Sequence, residues 1–355
     1  MSTPVTGSVP PDHHPARDRD PRSESGSSVA RGQISHPQLH PGLEDERTTG
    51  SPVLEEAVLS VRDLNIVYEV GDGVHAVKDA SFTLRRGEIL GLAGESGCGK
   101  TTLAYGLNQL HRPPARIIDG SVVFHDRDDG RDVDVLALEG PQLRTFRWSK
   151  VAMVFQGAMN SLNPVLNVRT QLEDVLTTHR PQLSREDRRR RCGELLELVG
   201  VERSRISAFP HELSGGMRQR VMIAMALALD PQLMIMDEPT TALDVVVQRE
   251  ILQEVLRLRQ ELGFAVVFIT HDLPLLLEIS DRIAVMKAGR IVELDTAENL
   301  YFEPTSSYTR RLLGSFPSLT GETGDFVRAG FGEADPPAGG DDAGRTASPD
   351  QEEAG

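Results

Sequence analysis

The chain has 355 residues, of which 39% are hydrophobic, 26% charged and 5% aromatic. Its 38 basic and 53 acidic side chains give a formal net charge of −15, which argues against a protein whose main partner is a nucleic-acid backbone. Two cysteines cannot form a disulfide framework, so a reducing compartment is expected. The start does not read as a signal peptide, and no apolar run reaches the roughly 20 residues of a membrane span. We therefore expect a soluble chain whose membrane role depends on a partner.

The two ends of the chain differ in composition from the middle. Residues 1–56 are rich in proline, serine and glycine, whereas residues 318–355 are acidic and of low complexity. Such segments do not bury enough apolar surface to offset their conformational entropy. We predict disordered tails over 1–56 and 318–355, with a folded unit over roughly 57–317.

Short apolar strands alternate with helices in the folded unit, which predicts an α/β fold with a parallel sheet covered on both faces. A stretch at about 165–215 is predicted to be helical only, and it indicates a helical insertion. The predicted strands are Val58–Val70, Ile89–Ala93, Val151–Phe155, Leu233–Met236 and Ala265–Ile269, and the predicted helices are about 99–110, 168–178, 185–199, 216–229 and 242–261.

The most specific motif follows the strand Ile89–Ala93 and matches G-x-x-x-x-G-K-[ST]. Its glycines let backbone N–H groups surround phosphate oxygens, and the next helix directs its positive end at the same place. We expect Lys100 to reach the β- and γ-phosphates and Thr101 to offer its hydroxyl to Mg²⁺. Alone, this loop leaves kinase, GTPase and ATPase open. The predicted phosphate-binding residues are Gly94, Glu95, Ser96, Gly97, Cys98, Gly99, Lys100, Thr101 and Thr102.

Two carboxylates end a second apolar strand, Leu233–Met236. In proteins with a phosphate loop, an acid at this place holds Mg²⁺ directly or through water, which is the role predicted for Asp237. Glu238 is then the natural general base for an attacking water. The pair predicts hydrolysis of a nucleoside triphosphate.

Five further features, in their order along the chain, resemble the motifs of ABC-type ATPases. They are Tyr68, Gln156 after the strand Val151–Phe155, the segment Leu213-Ser214-Gly215-Gly216-Met217-Arg218-Gln219-Arg220, the segment Thr240-Thr241-Ala242-Leu243-Asp244, and His271. The resemblance covers essentially all of 57–317. It implies a P-loop ATPase fold with a mainly parallel sheet, an antiparallel β subdomain and a helical subdomain at about 160–215, the ATPase domain spanning 57–303.

The same resemblance implies roles for individual residues. Tyr68 stacks on adenine and His271 contacts the γ-phosphate. Gln156 joins Thr101 and Asp237 in the implied Mg²⁺ site and links the Mg²⁺ and water region to the helical insertion. The resemblance also implies that two such ATPase domains, or cassettes, pair head-to-tail. The segment 213–220, which resembles the family's signature motif, then closes over the ATP bound by the other cassette. The residues implied in that second contact are Ser214, Gly215, Gly216 and Asp244.

Two segments are similar to the oligopeptide, dipeptide and nickel importers of this family: 156–164 and a C-terminal extension over 304–317. Some oligosaccharide importers share them, so nickel and oligosaccharides stay open as solutes beside peptides. Many peptide importers continue with a cysteine cluster resembling an iron–sulfur site. No cysteine follows Cys192 here, so we predict no such cluster.

The resemblance implies an ATP- and Mg²⁺-dependent subunit of an importer at the cytoplasmic face of the cell membrane. Its implied partners are transmembrane permease subunits, a second cassette that is identical or, as we favour, a paralogue, and an external solute-binding protein reached through the permease. A soluble ABC-type ATPase of DNA repair or translation is disfavoured, because one set of motifs is present and only 114 residues separate Lys100 from Ser214. A non-hydrolysing regulatory subunit is disfavoured because Glu238 and the signature are intact.

Overall fold

The computed structural model describes residues 57–71, 73–157, 161–241 and 243–315, so both predicted tails lie outside the described residues. The strands are β1 (Ala57–Tyr68), β2 (Val74–Arg85), β3 (Ile89–Ala93), β4 (Ala115–Asp126), β5 (Arg131–Asp134), β6 (Val151–Val154), β7 (Leu233–Asp237), β8 (Ala265–Ile269), β9 (Arg282–Lys287) and β10 (Arg290–Thr296). The helices are α1 (Lys100–Leu107), α2 (Gly140–Ser149), α3 (Val168–His179), α4 (Arg185–Leu198), α5 (Gly215–Ala226), α6 (Val245–Leu262), α7 (Leu273–Ile279), α8 (Ala297–Phe302) and α9 (Ser307–Gly314).

A six-stranded sheet in the order β10-β9-β3-β8-β7-β6 forms the centre of the described structure. All neighbours pair in parallel except β10, which is antiparallel to β9. Every residue of β3, β7 and β8 is buried, as expected for parallel strands covered on both faces. Parallel strands end at one edge, so the loops after β3, β6, β7 and β8 meet there. That edge carries the candidate site.

A second sheet is antiparallel, with strand order β2-β1-β4-β5. It packs against α1 and the central sheet through a shared core that includes Leu64, Ile66 and Leu103. Gly106 of α1 permits the close approach, because a Cβ placed there would lie 2.5 Å from Ile66 Cδ1. Helix α1 is therefore fixed between the two sheets.

The predicted fold class is confirmed: a mainly parallel sheet, an antiparallel β sheet, and a helical stretch containing α3 and α4 between β6 and α5. Some predicted boundaries were too long. The strand predicted to reach Val70 ends at Tyr68, and the helix predicted to reach about residue 110 ends at Leu107, because Gln109 adopts a positive φ of 48°. No helix within the described ranges has both the length and the hydrophobicity of a membrane span.

Candidate active site

The loop between β3 and α1 has positive φ angles at Gly94, Gly97 and Gly99. Backbone atoms of neighbouring strands lie close to two of these glycines. A Cβ at Gly94 would overlap the carbonyl oxygen of Met286, and a Cβ at Gly99 would overlap that of Ala76. At Gly97, by contrast, no atom lies within 4 Å of the Cβ position. The loop is thus supported from one side and open at Gly97, which leaves room for an anion beside its backbone.

Lys100 begins α1 and is only 8% exposed. Its Nζ donates to the carbonyl oxygens of Gly94 at 2.7 Å and Glu95 at 2.9 Å, and it lies 3.7 Å from Cys98 Sγ. The ammonium group is therefore enclosed by the loop that precedes it. A buried cation at the start of a helix is suited to a phosphate chain.

Thr101 and Asp237 bring the loop and strand β7 together. Thr101 Oγ1 donates to Asp237 Oδ1 at 3.2 Å, while Asp237 is only 1% exposed. Its second oxygen, Oδ2, is buried and has no hydrogen-bond partner among the described residues. Burial raises the pKa of the Asp237 carboxyl, and the hydrogen bond from Thr101 only partly opposes this. A hydroxyl beside a buried carboxylate with an unpartnered oxygen fits Mg²⁺, which prefers oxygen ligands.

Glu238 follows β7 with a positive φ of 44°, an unusual conformation for a residue other than glycine. Its backbone N–H donates to the carbonyl of Ile269 on β8 at 2.9 Å. Its carboxylate accepts hydrogen bonds from Gln156 Nε2 at 2.8 Å and Thr241 Oγ1 at 3.0 Å, and Oε1 lies 3.3 Å from His271 Nδ1. The ends of β6, β7 and β8 thus converge on one carboxylate.

This convergence joins three of the sequence-predicted residues, Gln156, Glu238 and His271. Thr241 also contacts the carboxylate, although the sequence motifs did not predict this role for it. Its position three residues after Glu238 was the only available signal. The structure adds it because the chain turns back after β7, so that its hydroxyl reaches both the backbone carbonyl and the side chain of Glu238.

Tyr68 ends β1 beside the phosphate loop, with its hydroxyl 3.1 Å from Thr102 Oγ1. The ring borders a cavity of about 400 Å³, in which Tyr105 and Phe155 meet edge to face. Tyr105 and Phe155 belong to none of the sequence motifs, so the motifs did not predict this aromatic lining. The cavity is lined by Tyr68, Thr102, Tyr105, Leu110, His111, Arg112, Ala115 and Phe155.

The signature residues form the start of α5. Ser214 caps this helix, its Oγ accepting from Met217 N at 3.2 Å, and Gly215 and Gly216 are its first residues. Asp244 caps α6 in the same way, accepting from Val247 N at 3.0 Å. Within the described residues, no hydrogen bond joins Ser214, its two glycines or Asp244 to the phosphate loop. The capping hydrogen bonds of Ser214 and Asp244 stay instead within the first turns of α5 and α6.

Residues 77–241 match a family model described as ABC transporter. The chain is similar to the oligopeptide transport ATP-binding protein OppD of Bacillus subtilis, with 41% identity over 266 residues, covering 74% of this chain and 72% of that protein. It is 39% identical over 268 residues to the dipeptide transport ATP-binding protein DppD of the same organism, covering 74% of this chain and 78% of that one.

Among solved structures, the chain resembles the ATP-binding cassette MJ0796, described as the dimeric post-hydrolysis state bound to ADP and Pi. The TM-score is 0.58 and the sequence identity 29%, and the match covers 67% of this chain and 98% of the cassette.

Proposed function

The chain belongs to the ABC transporter family of ATP-binding proteins, and we propose that it is the ATP-hydrolysing subunit of an importer for peptides or related solutes. The observation that carries the hydrolytic part is the convergence of Gln156 and His271 on the Glu238 carboxylate, next to the Asp237–Thr101 pair of the phosphate loop. The proposed base Glu238, the proposed Mg²⁺ ligand Asp237 and the phosphate loop then lie at one edge of the central sheet.

In this proposal, the loop 94–102 binds the phosphates of ATP through its backbone N–H groups, and Lys100 turns its ammonium group toward the β- and γ-phosphates. Water attacks the γ-phosphorus, the bond from phosphorus to the bridging oxygen breaks, and the water proton passes to Glu238. Gln156 and His271 orient the carboxylate and the water. ADP and phosphate are the products.

Mg²⁺ fits the pair formed by Thr101 of α1 and Asp237 at the end of β7. Thr101 and Asp237 would hold it, with Gln156 nearby, and the ion would supply charge neutralisation for the phosphate oxygens. The unpartnered Oδ2 of Asp237 supports this assignment.

Pairing of two cassettes would give the signature residues of one chain a nucleotide to contact on the other chain. Ser214, Gly215 and Gly216 open α5, whose free N–H groups form an anion site that the phosphate loop of the same chain does not use. We assign these residues and Asp244 to the nucleotide of a partner cassette. The related cassette MJ0796 is described as a dimer with ADP and Pi, which supports the assignment.

We assign 57–303 to the ATPase domain, about 160–215 to its helical subdomain and 304–317 to the C-terminal extension. Docking on separate permease subunits would hold the protein at the cytoplasmic face of the membrane and link Gln156 to them through the helical insertion. The relatives named for oligopeptide and dipeptide transport favour peptides over nickel or oligosaccharides.

The test is purification of the chain with its membrane partners, followed by ATPase assays in vesicles. Peptides, Ni²⁺ and oligosaccharides are supplied separately with the external binding protein. Stimulation of ATPase activity by peptides would support the proposal. Stimulation by Ni²⁺ or by oligosaccharide would keep the importer assignment and change only the assigned solute. Recovery with nucleic acid or ribosomes and without a permease would overturn the transporter assignment.

A further inference from the structure

The C-terminal helix α9 returns to the phosphate loop. Tyr308, in its first turn, is only 6% exposed, and its hydroxyl oxygen accepts a hydrogen bond from the backbone N–H of Glu95 at 3.4 Å. The two residues are 213 positions apart in the chain. A side chain of the extension thus contacts the backbone of the loop whose other residues form the phosphate cradle.

Glu95 is held on both sides of its backbone. Its N–H group points to Tyr308, and its carbonyl oxygen accepts from Lys100 Nζ at 2.9 Å and from Cys98 N at 3.3 Å. The Tyr308 hydroxyl is therefore two hydrogen bonds away from the ammonium group that faces the phosphates. A shift of Glu95 would displace an acceptor of Lys100.

The Tyr308 ring is fixed in this position by its neighbours. Lys287 Nζ lies 4.8 Å from the ring centroid, in a cation–π contact. Lys287 follows Met286, whose carbonyl oxygen lies close to Gly94 of the phosphate loop. Burial raises the pKa of the Tyr308 hydroxyl, so it stays protonated at neutral pH. The ring and the end of β9 thus support the same part of the loop.

The segment before α9 is anchored to the ATPase domain by Glu293 of β10, which is only 9% exposed. The Glu293 carboxylate accepts from Thr305 N at 2.6 Å, Thr305 Oγ1 at 2.8 Å and Ser306 N at 3.2 Å. Burial opposes ionisation here, but the hydrogen bonds outweigh it and lower the pKa of Glu293. Ser306 then caps α9, its Oγ accepting from Tyr308 N at 3.2 Å.

We propose that Tyr308 is a positioning residue which holds the Glu95 end of the phosphate loop in its nucleotide-binding conformation. The extension, anchored at Glu293, then contributes to nucleotide affinity without touching the nucleotide. The inference rests on the proposed function, because it takes the loop 94–102 as the phosphate site.

The test compares Tyr308→Phe with the unmodified full-length chain. Phenylalanine keeps the ring and its packing but removes the acceptor of the Glu95 N–H. We expect the affinity for ADP with Mg²⁺ to fall by about threefold to tenfold, the range for loss of one neutral hydrogen bond. The Glu95 amide, observed by NMR after selective ¹⁵N-glutamate labelling, should exchange faster with solvent, while the midpoint of thermal unfolding changes little.

Two further variants make the result specific. Tyr301→Phe removes a tyrosine hydroxyl from the neighbouring helix α8 and should leave both ADP affinity and Glu95 exchange unchanged. Glu293→Gln replaces one acceptor oxygen by an NH₂ group that faces backbone N–H donors. It should loosen the anchor and shift both readouts in the same direction as Tyr308→Phe.

Wild-type ADP affinity together with wild-type Glu95 exchange in Tyr308→Phe would overturn the inference. So would an equal effect of Tyr301→Phe, since a general loss of stability in the extension would then explain the result. Lys100→Ala separates this inference from the proposed function. If that variant binds ADP as tightly as the wild type, the phosphate-site assignment itself fails. If it loses binding while Tyr308→Phe is silent, only the role of Tyr308 fails.

Discussion

The side-chain amide of Gln156 donates a hydrogen bond to the Glu238 carboxylate, with 2.8 Å between Nε2 and Oε2. The bond joins residues that follow β6 and β7, two neighbouring parallel strands. The chain after Gln156 leads into the helical stretch that begins with α3. A movement of that stretch would therefore act on the orientation of the carboxylate. In the proposed function, this contact would link a docked permease to the site of hydrolysis.

Replacement of Glu238 by glutamine should separate binding from hydrolysis. The amide cannot take a proton from water, so we expect turnover to fall by about 10²- to 10⁴-fold, the usual contribution of a general base. ATP affinity should be retained, because Lys100 and the phosphate loop are unchanged. Phosphate release and ATP titration measure the two effects.

ATP should also trap the Glu238→Gln cassette as a closed dimer, which size-exclusion chromatography detects as a species stable through the run. Glu139→Gln provides a matched control, since Glu139 is exposed and its side chain makes no capping hydrogen bond. Turnover of Glu238→Gln within twofold of the control variant would rule out Glu238 as the base.

Replacement of Asp237 by asparagine should stabilise the nucleotide-free protein while abolishing Mg²⁺-dependent hydrolysis. The Asp237 carboxylate is buried with one unpartnered oxygen, and an uncompensated buried charge costs more than a buried amide. We expect a gain of about 1 kcal/mol in the free energy of unfolding, at the low end of the cost of an unsatisfied buried group. Urea unfolding without metal or nucleotide measures it.

The same variant should alter the dependence of stability on pH. The pKa of Asp237 is raised in the folded protein, so between the ordinary aspartate pKa and this raised value the folded state binds more protons than the unfolded state. The contribution of Asp237 to stability therefore falls as pH rises through that window and remains low above it. Asp237→Asn should remove this loss, and an unchanged pH profile would contradict the assigned burial of a charged carboxylate.

The sequence predicted correctly those strands whose pattern depends only on their own residues. Strands β3, β7 and β8 are short, wholly buried apolar runs, which makes them recognisable from their own residues. The antiparallel strand β4 was not recognised individually, because Asp119 and Gly120 interrupt its apolar pattern. The strand forms nevertheless, because its backbone pairs with that of β1 in antiparallel register.

Contacts between distant parts of the chain lie beyond such patterns. Nothing around Tyr308 indicates that its hydroxyl meets Glu95, since this contact depends on the path of β9, β10 and α8. The hydrogen bond from Thr241 to Glu238 likewise depends on a turn that follows a residue with positive φ. Motifs identify residue types with a known chemistry, whereas the partners that orient them are set by tertiary packing.

Two glycines of the phosphate loop should respond differently to alanine. At Gly99 the new Cβ would overlap the carbonyl of Ala76 on strand β2, so Gly99→Ala should lower the thermal stability of the protein as well as its affinity for nucleotide. At Gly97 there is open space, and only the positive φ of 76° opposes alanine, at about 1 kcal/mol.

Gly97→Ala should therefore fold but bind ADP weakly, because its methyl group occupies the space proposed for phosphate. Calorimetric titration with ADP and thermal unfolding of both variants provide the comparison. Equal losses of stability at Gly97 and Gly99 would contradict the difference in their surroundings. Wild-type affinity in Gly97→Ala would show that the phosphates lie elsewhere.

Two substitutions of Tyr68 should distinguish stacking of its ring on adenine from hydrogen bonding by its hydroxyl. Its hydroxyl lies 3.1 Å from Thr102 Oγ1, and its ring borders the cavity between β1 and α1. If the ring stacks on adenine, Tyr68→Phe should keep the affinity for ADP within about twofold, whereas Tyr68→Ala should lose about 1–3 kcal/mol, the usual value of one stacked base. Inorganic triphosphate, which has no base, should bind both variants like the wild type. Equal ADP affinity in Tyr68→Ala and the wild type would assign the ring to packing alone.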